Sequence, residues 1–134
     1  MQPKTSKYRK EHRGRRKGIS TRGSNVDFGE FGLKSLGRGW LTAKQLEAAR
    51  RAIANTTSRG GKVWMRVFPH KPITSRGPGV RMGGGKGDIS AYVAVITPGR
   101  IIFEIAGVDE ALAKDAFRKA TAKLPFKTLM VTRH

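Results

Sequence analysis

Apolar residues along this chain change their period from one segment to the next, and each period predicts an element. From Val26 to Leu36, the apolar positions Val26, Phe28, Phe31, Leu33 and Leu36 are interrupted by Gly29, Gly32 and Gly37. That pattern predicts a bent extended segment or bulged strand. Next comes a capping box: Thr42 as N-cap, Gln45 at the third helical position, and Leu41 placed to pack on Leu46 as a hydrophobic staple. A helix therefore starts at Thr42, buries Leu46, Ala49 and Ile53, and stops near Asn55, before Thr56, Thr57, Ser58 and the Gly60-Gly61 pair. Val63 to Phe68 alternates like a strand, with Val63, Met65 and Val67 on one face and Trp64, Arg66 and Phe68 on the other, and Pro69 ends it.

Further along, Tyr92–Ile96 and Ile101–Ile105 flank Thr97-Pro98-Gly99-Arg100, whose central Pro-Gly suits a type II turn. The expectation is an antiparallel hairpin. Asp109 then caps a second helix with Glu110 at its positive end, and Ala113, Ala116, Phe117, Ala120 and Leu124 recur at helical spacing until Pro125. Leu129 to Val131 supplies a last strand. The whole reads as an α+β domain over residues 23–134, two helices on a mostly antiparallel sheet, preceded by a basic extension over residues 1–22.

Charge changes this picture more than composition does. The chain of 134 residues has 28 Lys and Arg against 9 Asp and Glu, a formal net charge of +19, with 37% apolar residues and no cysteine. Such self-repulsion asks for a polyanion to relieve it. Lack of cysteine excludes a disulfide scaffold and thiolate zinc sites and favours a reducing compartment. No apolar run approaches a membrane span, and the basic N-terminus lacks the apolar stretch of a secretory signal. The charge is also unevenly placed. Residues 1–22 hold nine bases and one acid, residues 23–47 three of each, residues 48–87 nine bases and no acid, and residues 88–134 seven bases and five acids. Two one-signed blocks build a local field suited to phosphates, where a solubilising surface would mix both signs.

The first block has no apolar periodicity and cannot fold on its own strength, so it is expected to order against its partner, with Tyr8 and His12 among the bases to stack on nucleobases or riboses. An unspecific tail and a nuclear-localisation signal are the competing readings. The second block ends in an irregular loop between Phe68 and Ile89 with three prolines and six glycines, closing on Gly79-Val80-Arg81-Met82-Gly83-Gly84-Gly85-Lys86-Gly87. It fails as a nucleotide loop, because Gly87 follows Lys86 where Ser or Thr belongs and Val80 stands where the first glycine belongs. It reads instead as a glycine-rich finger entering a polyanionic site, against a plain linker.

Trp64 and Phe68 beside Arg66 allow two uses, a stacking platform or, with more weight, a half-buried core strand. Catalytic and metal chemistry find little support. His12, His70 and His134 are scattered, the helix acids suit capping, and there is neither a serine elbow nor a thiol.

End to end, several stretches resemble one family. They are Pro3-Lys4, Lys7-Tyr8-Arg9-Lys10, His12-Arg13-Gly14-Arg15, Phe28 to Lys34, Leu41 to Gln45, Glu47 to Ala52, Gly61 to Trp64, Phe68-Pro69, Lys71-Pro72, Arg81-Met82-Gly83, Gly85-Lys86-Gly87, Pro98-Gly99-Arg100, Phe103-Glu104, Gly107-Val108, Ala122 to Pro125 and Lys127-Thr128. In these the chain resembles large-subunit ribosomal protein sixteen of bacteria.

The resemblance implies an α+β protein, not an enzyme and without a cofactor, bound to large-subunit rRNA near the peptidyl transferase centre and the elbow of the aminoacyl-site tRNA. It implies a role in late subunit assembly beside neighbouring large-subunit proteins, in a cytoplasmic or organellar ribosome, with no membrane and no small-molecule substrate. Together with the charge pattern, it nominates as rRNA-binding Lys4, Lys7, Tyr8, Arg9, Lys10, His12, Arg13, Arg15, Arg16, Lys17, Arg22, Lys34, Arg38, Arg50, Arg51, Arg59, Lys62, Arg66 and Lys71. The finger toward tRNA comprises Arg76, Arg81, Met82, Gly83, Gly84, Gly85 and Lys86. Departures from the family are Thr5 for a usual Arg, Gly84 for a usual Lys, His70 for a usual Asp, and Ser90-Ala91-Tyr92 for Glu-Tyr-Trp. A sequence-tolerant DNA- or RNA-compacting protein is the alternative, and an enzyme acting on a phosphorylated substrate ranks third.

Overall fold

The computed structural model describes residues 2, 3, 23–58, 60–75 and 88–133. Seven strands and two helices follow in the order β1 (Phe31–Ser35), β2 (Gly39–Thr42), α1 (Ala43–Thr56), β3 (Lys62–Met65), β4 (Lys71–Ser75), β5 (Asp88–Ile96), β6 (Ile101–Ala106), α2 (Glu110–Thr121) and β7 (Thr128–Thr132). The class is α+β, but the strands form two sheets: a four-stranded one in the order β3-β6-β1-β7 and a three-stranded one in the order β2-β5-β4, all pairs antiparallel.

Local chemistry explains the elements that were foreseen. The Thr42 hydroxyl accepts from the Gln45 N–H at 3.2 Å and the Gln45 side chain accepts from the Thr42 N–H at 3.0 Å, closing the box that starts α1. Leu46, Ala49 and Ile53 are its buried stripe. Asp109 caps α2 by accepting from the Leu112 N–H at 2.8 Å. That helix ends at Thr121, so Leu124 packs against the core from beyond its end. In β1 the register slips between Leu33 and Lys34 opposite β6, a bulge in the segment whose glycines predicted one.

Three expectations fail, each for a physical reason. First, β5 and β6 are not a hairpin: β5 pairs with β2 and β4, and β6 with β1 and β3. The turn itself is as read, with Gly99 at φ +96° and the Arg100 N–H donating to the Thr97 carbonyl at 3.3 Å. A type II turn, however, splays its flanking strands against their natural twist, and here each strand leaves for a different sheet. The Gly99 N–H donates to the Ser35 carbonyl and the Ser35 N–H to the Arg100 carbonyl, both at 2.8 Å, tying the corner to β1.

Second, the stretch after Phe68 is not wholly irregular, since β4 occupies Lys71–Ser75 and β5 starts at Asp88. Pro72 argued against a strand, yet β4 is an edge strand, where the missing N–H is tolerated. Third, the strand expected over Val63 to Phe68 ends at Met65. Met65 shares the core face with Val63 by register but is 36% exposed, because β3 lies at the edge of its sheet. β2, which the sequence reading missed, runs directly into the Thr42 cap.

The core joins both sheets to the helices through Leu33, Leu41, Leu46, Ile53, Phe103, Ile105 and Phe117, among others. Helix α1 packs on α2, β2, β3 and β5, and α2 packs on β1 and β7. The opposite face of the four-stranded sheet is not bare: residues 23–30 cross it and seal Glu104 beneath them.

Candidate nucleic-acid interface

Register places Glu104, Trp64 and Gly32 on that outer face. The Glu104 side chain is fully buried there. One of its oxygens accepts three backbone N–H groups, from Asp27 at 3.0 Å, Phe28 at 2.7 Å and Gly29 at 2.8 Å. Its other oxygen is paired with the Arg66 guanidinium, which also reaches Asp27 at 3.3 Å and the Asn25 carbonyl at 3.3 Å. Burial pushes the Glu104 carboxyl up, but the Gly29 N–H, the Arg66 hydrogen bond and charge and the Phe28 N–H outweigh it and hold the group below its ordinary value. Gly29 is required where the clamp meets the backbone of β6: a methyl group there would lie 2.7 Å from the Ile105 carbonyl oxygen.

The clamp sets out an aromatic surface. Phe28, held by its N–H and 57% exposed, stacks on Trp64 with ring centroids 6.3 Å apart and planes 24° apart. Lys62 Nζ lies 5.2 Å from the Trp64 centroid, and the Arg66 guanidinium lies 4.9 Å from that of Phe28. The aromatic partner of Trp64 is thus Phe28, not Phe68, which is 47% exposed beside Met65, Val95 and His70 around a hollow of about 420 Å³. Two stacked rings with a cation over each, Phe28 being exposed, bring a π-surface and positive charge together, the chemistry that meets nucleobases and phosphates.

Of the nominated bases, those between 4 and 22, Arg59, and the finger residues 76, 81–84, 85 and 86 lie outside the described residues. The others occupy unlike environments. Lys62 and Arg38 are exposed, and Lys34 borders a hollow of about 380 Å³ with Ser24, Asn25, Asp27 and Arg133. Arg50 and Arg51 both pair with Glu47, Arg51 at 3.3 Å with its side chain 71% exposed. Lys71 is only 8% exposed, with Nζ 5.4 Å over the Trp40 ring, and Arg66 is committed to the clamp. Arg100 donates to the Arg66 carbonyl at 2.8 Å, and burial followed by the Arg66 charge lowers it from its ordinary value.

Phe28, Arg133 and the bases of α2 were not nominated. Phe28 carried no site signal because its partner, Trp64, is distant in sequence. The α2 bases were hidden in a stretch whose charge nearly cancels.

The β4–β5 ladder runs down to the Ser75–Asp88 pair, so residues 76–87 join the two ends of one stem. Among the described residues no group of His, Asp and Glu is placed to hold a metal ion, and no helix is long and apolar enough to cross a membrane.

Comparison with known proteins identifies the family. Residues 3–131 match the family model of ribosomal protein L16p/L10e. The chain is 59% identical over 133 residues to the large ribosomal subunit protein uL16 of Albidiferax ferrireducens, covering 99% of this chain and 96% of that one. A family match over nearly the whole length, with a relative 59% identical, leads to one statement: this chain belongs to the ribosomal protein L16p/L10e family.

Proposed function

We propose that the chain is a non-catalytic constituent of the large ribosomal subunit that binds 23S-type rRNA near the peptidyl transferase centre, acts late in subunit assembly and helps position the aminoacyl-site tRNA. The observation that carries this reading is the β4–β5 stem. It closes to the Ser75–Asp88 pair and so fixes both ends of the segment that holds Arg76, Arg81 and Lys86. A finger anchored at both ends costs less entropy to order against RNA than a free tail does. The arm over residues 1–22 supplies bulk phosphate neutralisation, and its Tyr8 and His12 are suited to stacking. On the folded body, the Phe28–Trp64 surface with Lys62, the exposed Arg38 and the Lys34–Arg133 hollow extend the contact. Its partners are rRNA, aminoacyl-site tRNA and neighbouring large-subunit proteins in a cytoplasmic ribosome.

The test separates the two basic regions. In reconstituted particles, Arg81→Ala lowers tRNA accommodation in the aminoacyl site while incorporation stays near normal, whereas deletion of residues 1–18 chiefly lowers incorporation. Equal incorporation of the deletion variant and the intact chain contradicts the assembly half, and unchanged accommodation with Arg81→Ala contradicts the tRNA half. The alternative, a sequence-tolerant nucleic-acid compactor, requires equal affinity for duplex DNA and folded rRNA.

A further inference from the structure

Summed along the sequence, residues 88–134 are nearly neutral, with seven bases against five acids. Folding separates these charges. Glu104 is sealed under residues 23–30, and Asp109 and Glu110 sit at the N-terminal end of α2. Arg118, Lys119 and Lys123 gather at and just past its C-terminal end, where α2 packs on α1 and Arg51 comes in from the other helix. Between them lies a hollow of about 680 Å³. Ala48, Ala52 and Ala122 line it beside Asn55 and Thr56, and among the described residues no acidic side chain does. The acids that pair with these cations, Asp115 and Glu47, are each engaged within their own helix: Asp115 with Arg118 at 2.8 Å and Lys119 at 3.5 Å, Glu47 with Arg50 and Arg51. With Arg118 72% and Arg51 71% exposed, these pairs are solvated and readily exchanged for a stronger anion.

We infer that this α1–α2 groove is a second docking site for the phosphodiester backbone of large-subunit rRNA, with Arg51, Arg118, Lys119 and Lys123 as its phosphate ligands. Alanine walls let a sugar–phosphate strand approach the helices closely, and the Asn55 amide, together with the Thr56 oxygen, whose hydroxyl donates to the Ala52 carbonyl at 2.8 Å and can still accept, faces the riboses. Four cations, three on the two helices and Lys123 just past α2, around a groove with no acid among its described lining residues favour a polyanion over an apolar or basic partner. The inference rests on the rRNA reading above and adds to it a face that the charge count along the chain conceals.

Its test uses the full-length chain. Since the sequence has no cysteine, Ala122→Cys gives a unique thiol at the groove for a tethered hydroxyl-radical source, and Ala111→Cys, exposed nearer the N-terminal end of α2, gives the comparison. In assembled particles, strand scission of rRNA is expected from position 122 and much less from position 111. The triple variant Arg118→Gln, Lys119→Gln, Lys123→Gln is expected to make the slope of log affinity for rRNA against log salt shallower by about two, given roughly 0.7 to 0.9 per phosphate contact. No scission of rRNA from position 122 in particles that incorporate the chain, an unchanged slope, or cleavage from 122 confined to a neighbouring protein in place of RNA would overturn the inference and leave the broader reading standing. A flat slope for the unsubstituted chain would sink that broader reading instead.

Discussion

Two regions of this molecule pair arginine with a carboxylate, and they use the pair oppositely. Beneath residues 23–30, Arg66 meets a Glu104 that has no contact with water and whose second oxygen is filled by three backbone N–H groups. In the α1–α2 groove, Arg118 and Lys119 meet an Asp115 that is 42% exposed. The first pair is locked because removing either partner strands a desolvated charge. The second is loose because water offers both partners nearly the same stabilisation. The lesson is that a basic protein can spend some of its arginines on its own architecture and keep others available for a polyanion, with burial deciding which is which.

The largest expected effect comes from breaking the locked pair. Glu104→Ala leaves the Arg66 guanidinium and three N–H groups without their acceptor and is expected to cost about 3–5 kcal/mol in urea unfolding. A cost under about 1 kcal/mol contradicts the clamp. The pH dependence follows from the direction of the Glu104 shift. Because folding lowers this carboxyl's pKa, its stabilisation is fully present above the ordinary glutamate value near ~4.3 and is lost as pH falls through the lower folded value. Acid unfolding of the parent chain is therefore expected to steepen below about pH 4, and Glu104→Gln to flatten that limb.

Smaller effects sharpen the contrast. Thr42→Ala removes one half of the capping box and is expected to cost about 1 kcal/mol, with no change in RNA affinity. Phe28→Ala removes an exposed ring from Trp64 and is expected to cost about 0.5–1.5 kcal/mol in stability while weakening binding to single-stranded rRNA. Smallest for the fold is the triple substitution in the groove, whose unfolding midpoint should match the parent's even as its salt response changes. If that variant were as unstable as Glu104→Ala, the two regions would not differ in kind.

The sequence disclosed what is settled within a few neighbouring residues. The Thr42–Gln45 box, the Asp109 cap, both helical stripes and the bulge near Leu33 depend on local spacing, and all appear. What it concealed depends on partners far apart along the chain. The Pro98-Gly99 turn is legible as a turn, but its strands part because Ser35, some sixty residues earlier, binds the corner. Lys71-Pro72 lies in an edge strand that only its pairing with Val93 and Tyr92 reveals. The candidate interface divides in the same way. Runs of bases are visible by counting, whereas Arg66 is withdrawn from the surface by Glu104, and the groove exists only because α1 and α2 pack together. The family, by contrast, was legible from ordered motifs along nearly the whole chain.

The central claim is that the cations the fold leaves exposed serve to neutralise rRNA phosphates. It is tested most directly by titrating salt against the binding of the full-length chain to large-subunit rRNA. With six to ten phosphate contacts, affinity should fall by roughly 10³ to 10⁵ between about 50 and 200 mM salt, and duplex DNA should bind more weakly at each point. An affinity that stays level across that range, or that is equal for the two nucleic acids, would contradict the account.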